Sequence, residues 1–315
     1  MSSVRLVFLG TGSGKPMPGR SVSAVGLQRD GDLFLFDCGE GAQVQLARST
    51  LRPGSLAGIF LTHFHGDHVN GLPGLLGTLT LNQRDGGLPL VGPRGTKRWL
   101  RTLRELGILT PGFPLQIHEN EAPGVVHEGD GYKIITGPLN HRVTCWGYAY
   151  VEEARPGRFD LDAARALGVP HGPLYGKLQR GESIVLDDGR EITPSQVLGP
   201  ARPGLKIAYC CDTSPHPDVV ELARGADLLI HESTYPAGDE DLARERRHST
   251  SADAARCAVE AGVKKLVLTH FSQKHTRTDE FLAGARAIFP DTIAAYDLME
   301  IEVERSEQDP SQSNP

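Results

Sequence analysis

Four side chains that can bind metal lie within six residues of one another in the segment THFHGDHVNG. His63 and His65 are one residue apart and can converge on one cation from a loop, and Asp67 with His68 can turn towards a second cation beside it. Imidazole nitrogen and carboxylate oxygen are the ligands expected for zinc or a similar divalent metal. Without a metal, four such side chains would repel one another or remain unsatisfied. The segment therefore predicts a two-metal hydrolytic site.

Four ligands do not complete two coordination spheres, so other parts of the chain must contribute. His141, Asp212 and His270 each follow an apolar, strand-like run. Taken singly, each has the alternative of being an ordinary loop or core residue. An aspartate suits a bridging position because its two oxygens can each face one of two cations, roughly 3.5–4 Å apart in such sites. Together with the first cluster, these residues predict a seven-ligand site.

The elements that must position these side chains are short apolar runs rich in β-forming residues. Five such runs end abruptly at polar or ligand-capable residues: 33–41, 58–68, 206–214, 227–234 and 265–272. Segments 95–107 and 251–262 carry apolar residues on one helical face. Further strands at 131–140 and 146–153 are not separated by a helix, which favours two mixed sheets over one doubly wound sheet. The pattern predicts an α/β fold whose strand ends carry the chemistry.

Bulk properties limit the class of protein. The chain has 315 residues, enough for one large domain with an excursion, and its net charge of -6 argues against a protein that coats nucleic acid through its whole surface. The same charge is compatible with a local positive groove. Five cysteines without CxxC spacing indicate neither a disulfide framework nor a thiolate zinc site. No basic stretch leads into a long apolar segment, so we predict a cytoplasmic protein without a membrane partner.

Residues 152–203 differ in composition from the rest of the chain, with many Gly and Pro and widely spaced apolar residues. They predict an insertion that protrudes from a domain covering 1–302, although composition alone is equally compatible with a solvated, loop-rich excursion. Between Arg155 and Arg180 the insertion has five basic residues against two acidic ones. Residues 303–315 are polar and contain proline, and we predict a disordered tail there.

The segment HFHGDH resembles the metallo-β-lactamase superfamily. Within it, a narrower resemblance to the ribonuclease Z family covers about residues 4–302 and rests on several segments in the family's order: FLGTGSGKPMPGR, PLNHRVTCWGYAYVE, GPLYGKLQRG, DLLIHESTY, HSTSADAA, LTHFS and AYDLMEIE. The resemblance implies an αβ/βα sandwich of two mixed β-sheets flanked by helices, with a protruding arm insertion. It also implies a zinc-dependent endoribonuclease that removes the 3′ trailer from precursor tRNA.

The resemblance further implies the metals and the chemistry. Two Zn²⁺ per subunit, or Mn²⁺ or another divalent metal, would be held by two sets of three ligands and one bridge: His63, His65 and His141; Asp67, His68 and His270; and Asp212 between them. Asp67 would also orient the nucleophilic water and accept its proton. Attack of a metal-activated hydroxide on the phosphodiester would leave a 3′-hydroxyl on the tRNA and a 5′-phosphate on the trailer.

The leaving 3′-oxygen needs a proton, for which His248 is the predicted donor, held in its cationic form by Glu232. The alternative for His248 is a residue that merely precedes a helix N-cap at Thr250 or Ser251. The loop with Lys15 fits neither GxGxxG nor GxxxxGK[ST], which argues against a nucleotide cofactor. Lys15 is a predicted phosphate contact, with a solvated loop charge as the alternative.

The insertion distinguishes between substrates. In the family, an arm at the position of this insertion binds the tRNA away from the cleavage site. Lys177 and Arg180 are therefore predicted RNA contacts. The resemblance also implies a homodimer. The alternative activity is a small-molecule phosphodiesterase or related esterase on the same dimetal fold, and a tRNA-binding protein that has lost catalysis is a third reading.

Departures from the family pattern concern residues outside the ligand set. The family usually has Asn where this chain has Ser21, and Gly is common where Cys211 precedes the bridging Asp. After the last ligand the family commonly shows Arg-Tyr, whereas this chain has Lys274 and His275. The departures therefore concern RNA contacts more than hydrolysis.

Overall fold

The computed structural model describes residues 4–305 of the chain. Within them, sixteen strands are numbered in chain order: Val4–Gly10 (β1), Ala24–Arg29 (β2), Asp32–Phe36 (β3), Leu56–Phe60 (β4), Leu88–Pro93 (β5), Leu115–Asn120 (β6), Gly124–Gly129 (β7), Tyr132–Leu139 (β8), Cys145–Glu152 (β9), Ile184–Val185 (β10), Glu191–Ile192 (β11), Lys206–Cys210 (β12), Leu228–Glu232 (β13), Leu266–Thr269 (β14), Thr292–Ala294 (β15) and Glu300–Val303 (β16).

The same residues contain ten α-helices: Ala42–Arg48 (α1), Gly66–Val69 (α2), Leu72–Leu81 (α3), Thr96–Glu105 (α4), Leu161–Ala166 (α5), Pro173–Gln179 (α6), Pro217–Ala223 (α7), Glu240–Arg246 (α8), Ser251–Ala261 (α9) and Asp279–Arg286 (α10). None of them has both the length and the hydropathy needed to cross a bilayer. The two helices predicted from apolar periodicity correspond to α4 and α9. Helix α9 begins after Thr250, which forms a capping box with Asp253.

The chain divides into two compact units. The first unit extends to Val151 and continues from Lys206 to Glu304, and it contains two seven-stranded sheets. The first sheet has the strand order β16-β1-β2-β3-β4-β5-β6, antiparallel as far as β3 and parallel from β3 to β6. The second has the order β15-β14-β13-β12-β9-β8-β7, with β12 to β15 parallel. The prediction of two mixed sheets is confirmed.

The parallel strands explain why the predicted site residues meet. Strands β3 and β4 of the first sheet pair in parallel, and so do β12, β13 and β14 of the second. Parallel strands present their carboxyl ends at one edge of a sheet, where an open α/β fold binds its ligands. The segment with His63, the segment with Asp212 and the segment with His270 each follow one of these strands.

Aromatic side chains fill the space between the sheets. Phe36 contacts Tyr209 with ring centroids 5.7 Å apart, and Phe60 contacts Tyr148 at 5.5 Å. These four rings are buried. On the outer faces, leucines of α3 and alanines of α9 belong to two further apolar clusters. Close packing of this kind holds the strand ends in fixed positions.

Among the described residues, the second unit comprises Glu152–Leu205 and Arg305. It contains α5, α6 and the antiparallel pair β10 and β11, and isolated bridges join Arg155 to Arg202 and Phe159 to Leu198. Seven buried residues form its own small core: Ala164, Val169, Leu178, Ile184, Leu186, Ile192 and Val197. At the end of the chain, β16 reaches Val303, the first residue of the predicted tail, and residues 306–315 lie outside the described residues.

Candidate metal centre

The first group of donor atoms lies around one oxygen of Asp212. Nitrogen atoms of His63, His65 and His141 lie within 4.8 Å of one another and of this carboxylate. His65 Nδ1 is 2.9 Å from His63 Nε2 and 3.3 Å from His141 Nε2. Asp212 Oδ2 is 3.7 Å from His63 Nε2 and 3.9 Å from His141 Nε2. Three imidazoles and one carboxylate oxygen therefore surround one point.

The second group surrounds the other oxygen of the same aspartate. Asp212 Oδ1 lies 3.1 Å from His270 Nε2 and 3.5 Å from His68 Nε2. Asp67 Oδ2 lies 3.5 Å and 3.6 Å from the same two nitrogen atoms. Ligands that bind one zinc ion at about 2.0–2.2 Å have comparable separations from one another. The structure thus brings all seven sequence-predicted ligands into two groups that share Asp212, and this donor set fits divalent metal ions.

Ionised carboxylates make this edge of the sheets attractive to cations. Burial opposes ionisation of Asp212, but His270 and His68 outweigh burial and hold the pKa of Asp212 well below its ordinary value. Burial also disfavours the charged form of His68, yet Asp212 and Asp37 raise its pKa well above the usual range. Burial and the neighbouring His68 lower the pKa of His63 well below its ordinary value. The same negative potential would favour a bound cation.

His248 and Glu232 form a pair beside the two groups. His248 Nδ1 lies 2.7 Å from Glu232 Oε1, and Glu232 is fully buried. The ring of His248 lies 5.0 Å from that of His141 and 5.5 Å from that of His270. Burial opposes protonation of His248, but Glu232 and Asp212 outweigh burial and raise its pKa to about 9. Because Nδ1 is engaged by the carboxylate, Nε2 is the nitrogen available to a bound molecule.

A cavity of about 610 Å³ opens beside the donor groups. Asp67, Asp212 and His248 line it, together with the cationic side chains Arg246 and Lys274. The site therefore combines two clusters of metal donors, a protonated imidazole and cations within one open cavity. Such a combination suits a phosphodiester, whose charge must be neutralised and whose leaving oxygen must be protonated.

Comparison with known proteins identifies the relatives of this chain. Ribonuclease Z from Synechococcus sp. strain CC9311 is 46% identical, with 96% of this chain and 100% of the relative covered. Ribonuclease Z from Acaryochloris marina is 45% identical, with 96% and 98% covered. Among solved structures, human tRNase Z, short form, matches with a TM-score of 0.70 and 29% identity over 95% of this chain and 99% of that one.

The chain belongs to the ribonuclease Z family. A family model described as "Anti-Pycsar protein Apyc1" also matches residues 4–103. That stretch includes the run from His63 to His68 but ends before His141, Asp212 and His270. It therefore carries only the first part of the donor set, whereas the ribonuclease Z relatives cover almost the whole chain.

Two buried side chains that support the centre in this ribonuclease Z family member were missed by sequence reasoning. Asp37 accepts hydrogen bonds from His68 Nδ1 at 2.7 Å, from Thr62 Oγ1 at 3.0 Å and from the hydroxyl of Tyr209 at 2.9 Å. Thr234 Oγ1 donates to Glu232 at 2.6 Å. Asp37 ends the apolar run at 33–41, so the strand-end signal that indicated the other site residues could have found it.

The loop that contains Lys15 contacts the site through its backbone. The N–H of Gly14 donates to Asp67 Oδ2 at 2.6 Å. Within the described part of the chain, Ser13, Gly14 and Lys274 line the cavity, whereas the exposed Lys15 does not. The structure therefore places Lys274, and not Lys15, in the cavity itself.

The remaining predicted contacts and departures lie in different surroundings. Lys177 and Arg180 are exposed residues of the second unit, at the end of α6. Arg180 Nε pairs with Glu182 at 3.0 Å. Cys211 is buried and its Sγ donates to Asp212 Oδ1 at 3.1 Å. The N–H of Ser21 donates to Asp297 at 2.5 Å.

Proposed function

We propose that this chain is an endoribonuclease that removes the 3′ trailer from precursor tRNA, leaving a 3′-hydroxyl on the tRNA and a 5′-phosphate on the trailer. The observation that carries the proposal is the pair of His248 and Glu232 beside the shared donor cluster at Asp212, in a chain of the ribonuclease Z family. The cluster supplies sites for metal, and the pair supplies an acid for the leaving 3′-oxygen.

Two divalent metal ions, which we propose to be zinc, would occupy the two donor groups. One would be held by His63, His65 and His141 and the other by Asp67, His68 and His270, with Asp212 shared between them. When bound, such ions lower the pKa of water towards neutrality and neutralise charge on the phosphate.

The protein's own groups position the substrate and move the protons. Asp67 is ionised, because hydrogen bonding from His270 outweighs the effect of burial and lowers its pKa below the ordinary value. The N–H of Gly14 fixes one of its oxygens. In this orientation Asp67 accepts the proton of the attacking water. His248 then donates its Nε2 proton to the leaving 3′-oxygen, and Glu232 stabilises the imidazolium throughout.

Cations around the cavity support binding of a polyanion. Arg246 and Lys274 line the cavity and can contact phosphates on either side of the scissile bond. We propose that the second unit is the arm predicted at 152–203, inserted into a catalytic domain of residues 1–302. Its exposed Lys177 would contact phosphates of the tRNA, since folded RNA is recognised by shape and phosphates. A cytoplasmic homodimer is the proposed form.

The alternative is a phosphodiesterase that acts on small molecules, for which the donor cluster would be equally suitable. Exposed cations of the second unit, such as Lys177, would serve no purpose in binding such a substrate. The charged residues of the second unit therefore favour the larger substrate.

Cleavage of a 3′-extended precursor tRNA tests the proposal. We expect one cut directly after the discriminator nucleotide, with product ends of 3′-hydroxyl and 5′-phosphate. Asp67→Ala should abolish this cut, whereas Asp130→Ala, which removes an exposed carboxylate, should leave it unchanged. Random cleavage, or hydrolysis of bis(p-nitrophenyl) phosphate without cleavage of the precursor, would favour the small-molecule alternative.

A further inference from the structure

Helix α4 carries a row of cations on one exposed face. Lys97, Arg98 and Arg101 lie on α4, with Lys97 and Arg101 one turn apart, and Arg94, two residues before the helix, lines the same depression. All four are exposed, and no acidic residue occurs from Arg94 to Arg104. We call these four residues the basic stripe. On a chain of net charge -6, the stripe is a local concentration of positive charge.

The nearest carboxylates do not cancel this charge. The stripe lines a depression of about 620 Å³ that contains only Glu119 as an acidic residue within the described chain. Glu119 Oε1 accepts hydrogen bonds from the backbone N–H groups of Gly95 and Lys97, both at 2.9 Å. Arg101 also pairs with Glu105 at 3.7 Å, but both side chains are about two-thirds exposed, so the pair is weak. The surface retains an excess of positive charge.

The stripe adjoins the metal centre through an aromatic contact. Phe64 lies between His63 and His65, and its ring meets that of Trp99 on α4 edge-on at 5.7 Å. A Cβ atom at Gly95 would lie 3.4 Å from the Phe64 ring, so the start of α4 is packed against the same loop. Phe64 is 36% exposed. An exposed ring therefore lies between the donor cluster and the basic stripe.

The acid and the basic stripe come from different sheets. Glu232 ends β13 of the second sheet, and His248 is hydrogen-bonded to it. Phe64 follows β4 of the first sheet, and α4 follows the neighbouring strand β5. With the leaving 3′-oxygen of the tRNA at His248, beside the second sheet, the first sheet offers a separate surface for the strand beyond the scissile phosphate. That strand is the trailer, which is single-stranded.

We propose that Phe64, Trp99 and the basic stripe bind the 3′ trailer, with a base against the exposed ring and phosphates along α4. The inference rests on the proposed function and extends it to the part of the substrate that is discarded. Aromatic rings next to a row of cations are the combination by which proteins bind single-stranded nucleic acid without reading its sequence. The stripe contacts the RNA and takes no part in bond cleavage.

A double charge reversal, Arg98→Glu with Arg101→Glu, tests this assignment. Its matched control is Lys133→Glu with Arg52→Glu, which changes the net charge equally at exposed residues near the start of β8 and shortly before β4, opposite the strand ends that carry the site. Substrates are a precursor with a one-nucleotide trailer, a precursor with a trailer of about eight nucleotides, and bis(p-nitrophenyl) phosphate. Unchanged hydrolysis of the last compound shows that each variant is folded.

For the long-trailer precursor we expect KM to rise about tenfold in the stripe variant, with kcat nearly unchanged, because charge-assisted contacts to phosphate are lost. The negative slope of log affinity against log salt should become less steep by about 1.4, or roughly 0.7 for each lost contact to a single strand. The one-nucleotide precursor and the control variant should retain wild-type constants within about twofold.

An equal rise in KM for both precursors would overturn the proposal and assign the basic stripe to the acceptor stem. A rise in KM no larger than that of the control variant would also overturn it. Binding of a 5′-phosphorylated RNA of about eight nucleotides, measured by fluorescence anisotropy, separates this inference from the proposed function. If the wild-type protein binds the oligonucleotide more tightly than the stripe variant does, the trailer site is supported even if no precursor is cleaved. Equal binding by both proteins contradicts it.

Discussion

The two compact units carry their charged residues in opposite ways. In the first unit, the donors His63, His68 and Asp212 are at most 2% exposed and are held at strand ends. In the second unit, Lys177 on α6 and Arg180 just after it are exposed, and the unit has a small apolar core. Burial fixes the geometry of groups that must act on one bond, whereas exposed, flexible cations suit a large polyanion. The proposed function assigns bond cleavage to the first unit and contacts with the tRNA body to the second, and each assignment can be tested without the other.

The largest effect should follow from removing the shared aspartate. Asp212→Ala deprives both donor groups of an oxygen and leaves buried imidazoles without their counter-charge. We expect metal content to fall from about two ions per chain, and hydrolysis of precursor tRNA and of bis(p-nitrophenyl) phosphate to fall to background. Elemental analysis of the dialysed protein measures the first effect. Retention of both ions would show that Asp212 is not a bridge.

The next largest effect should depend on the leaving group of the substrate. His248→Ala should slow precursor cleavage by about a thousandfold, the usual contribution of a general acid. Hydrolysis of bis(p-nitrophenyl) phosphate should change little, because nitrophenolate leaves without a proton. Metal content serves as the control and should equal that of wild type. A loss of the same size on both substrates would assign His248 to binding or structure.

A change confined to the second unit should also spare the small diester, but it should weaken precursor cleavage through loss of binding instead of loss of the acid. The backbone N–H of Gly199 donates to the carbonyl of Arg158 at 2.9 Å, so a short Gly-Ser linker can replace residues 159–198. We expect precursor cleavage to fall about a hundredfold through loss of phosphate contacts, and small-diester hydrolysis to persist. Lys177→Ala should reproduce part of the loss, with Arg165→Ala as the matched exposed control. Normal precursor cleavage by the shortened chain would remove the second unit from recognition.

The smallest effect concerns a residue beneath the metal centre. Asp37→Asn keeps the shape of the side chain but weakens its hydrogen bond with His68 Nδ1. Partners of this kind typically contribute about thirtyfold to metal affinity. We therefore expect zinc affinity, measured by competition with a chromogenic chelator, to fall by about that factor, and added zinc to restore activity. Unaltered affinity would limit Asp37 to packing.

Much of the site could be predicted because its residues stand at the ends of recognisable strands. The run from His63 to His68 is local, and the apolar stretches before Asp212 and His270 indicated that these residues share an edge. Asp37 also stands directly after an apolar, strand-like run. A lone aspartate in that position does not by itself indicate which side chain it supports. The cavity position of Lys274 in preference to Lys15 depended on loop conformation, for which residue types carry little information.

By itself, the sequence determined the donor types, the order of the strands along the chain and the change of composition at 152–203, because these depend on composition and short-range periodicity. Only the tertiary structure decided that each oxygen of Asp212 faces a different donor group, that Glu232 engages Nδ1 of His248, and that Phe64 touches α4. The physical reason is that these contacts join distant segments. Their geometry depends on sheet order and side-chain packing, which no local pattern specifies.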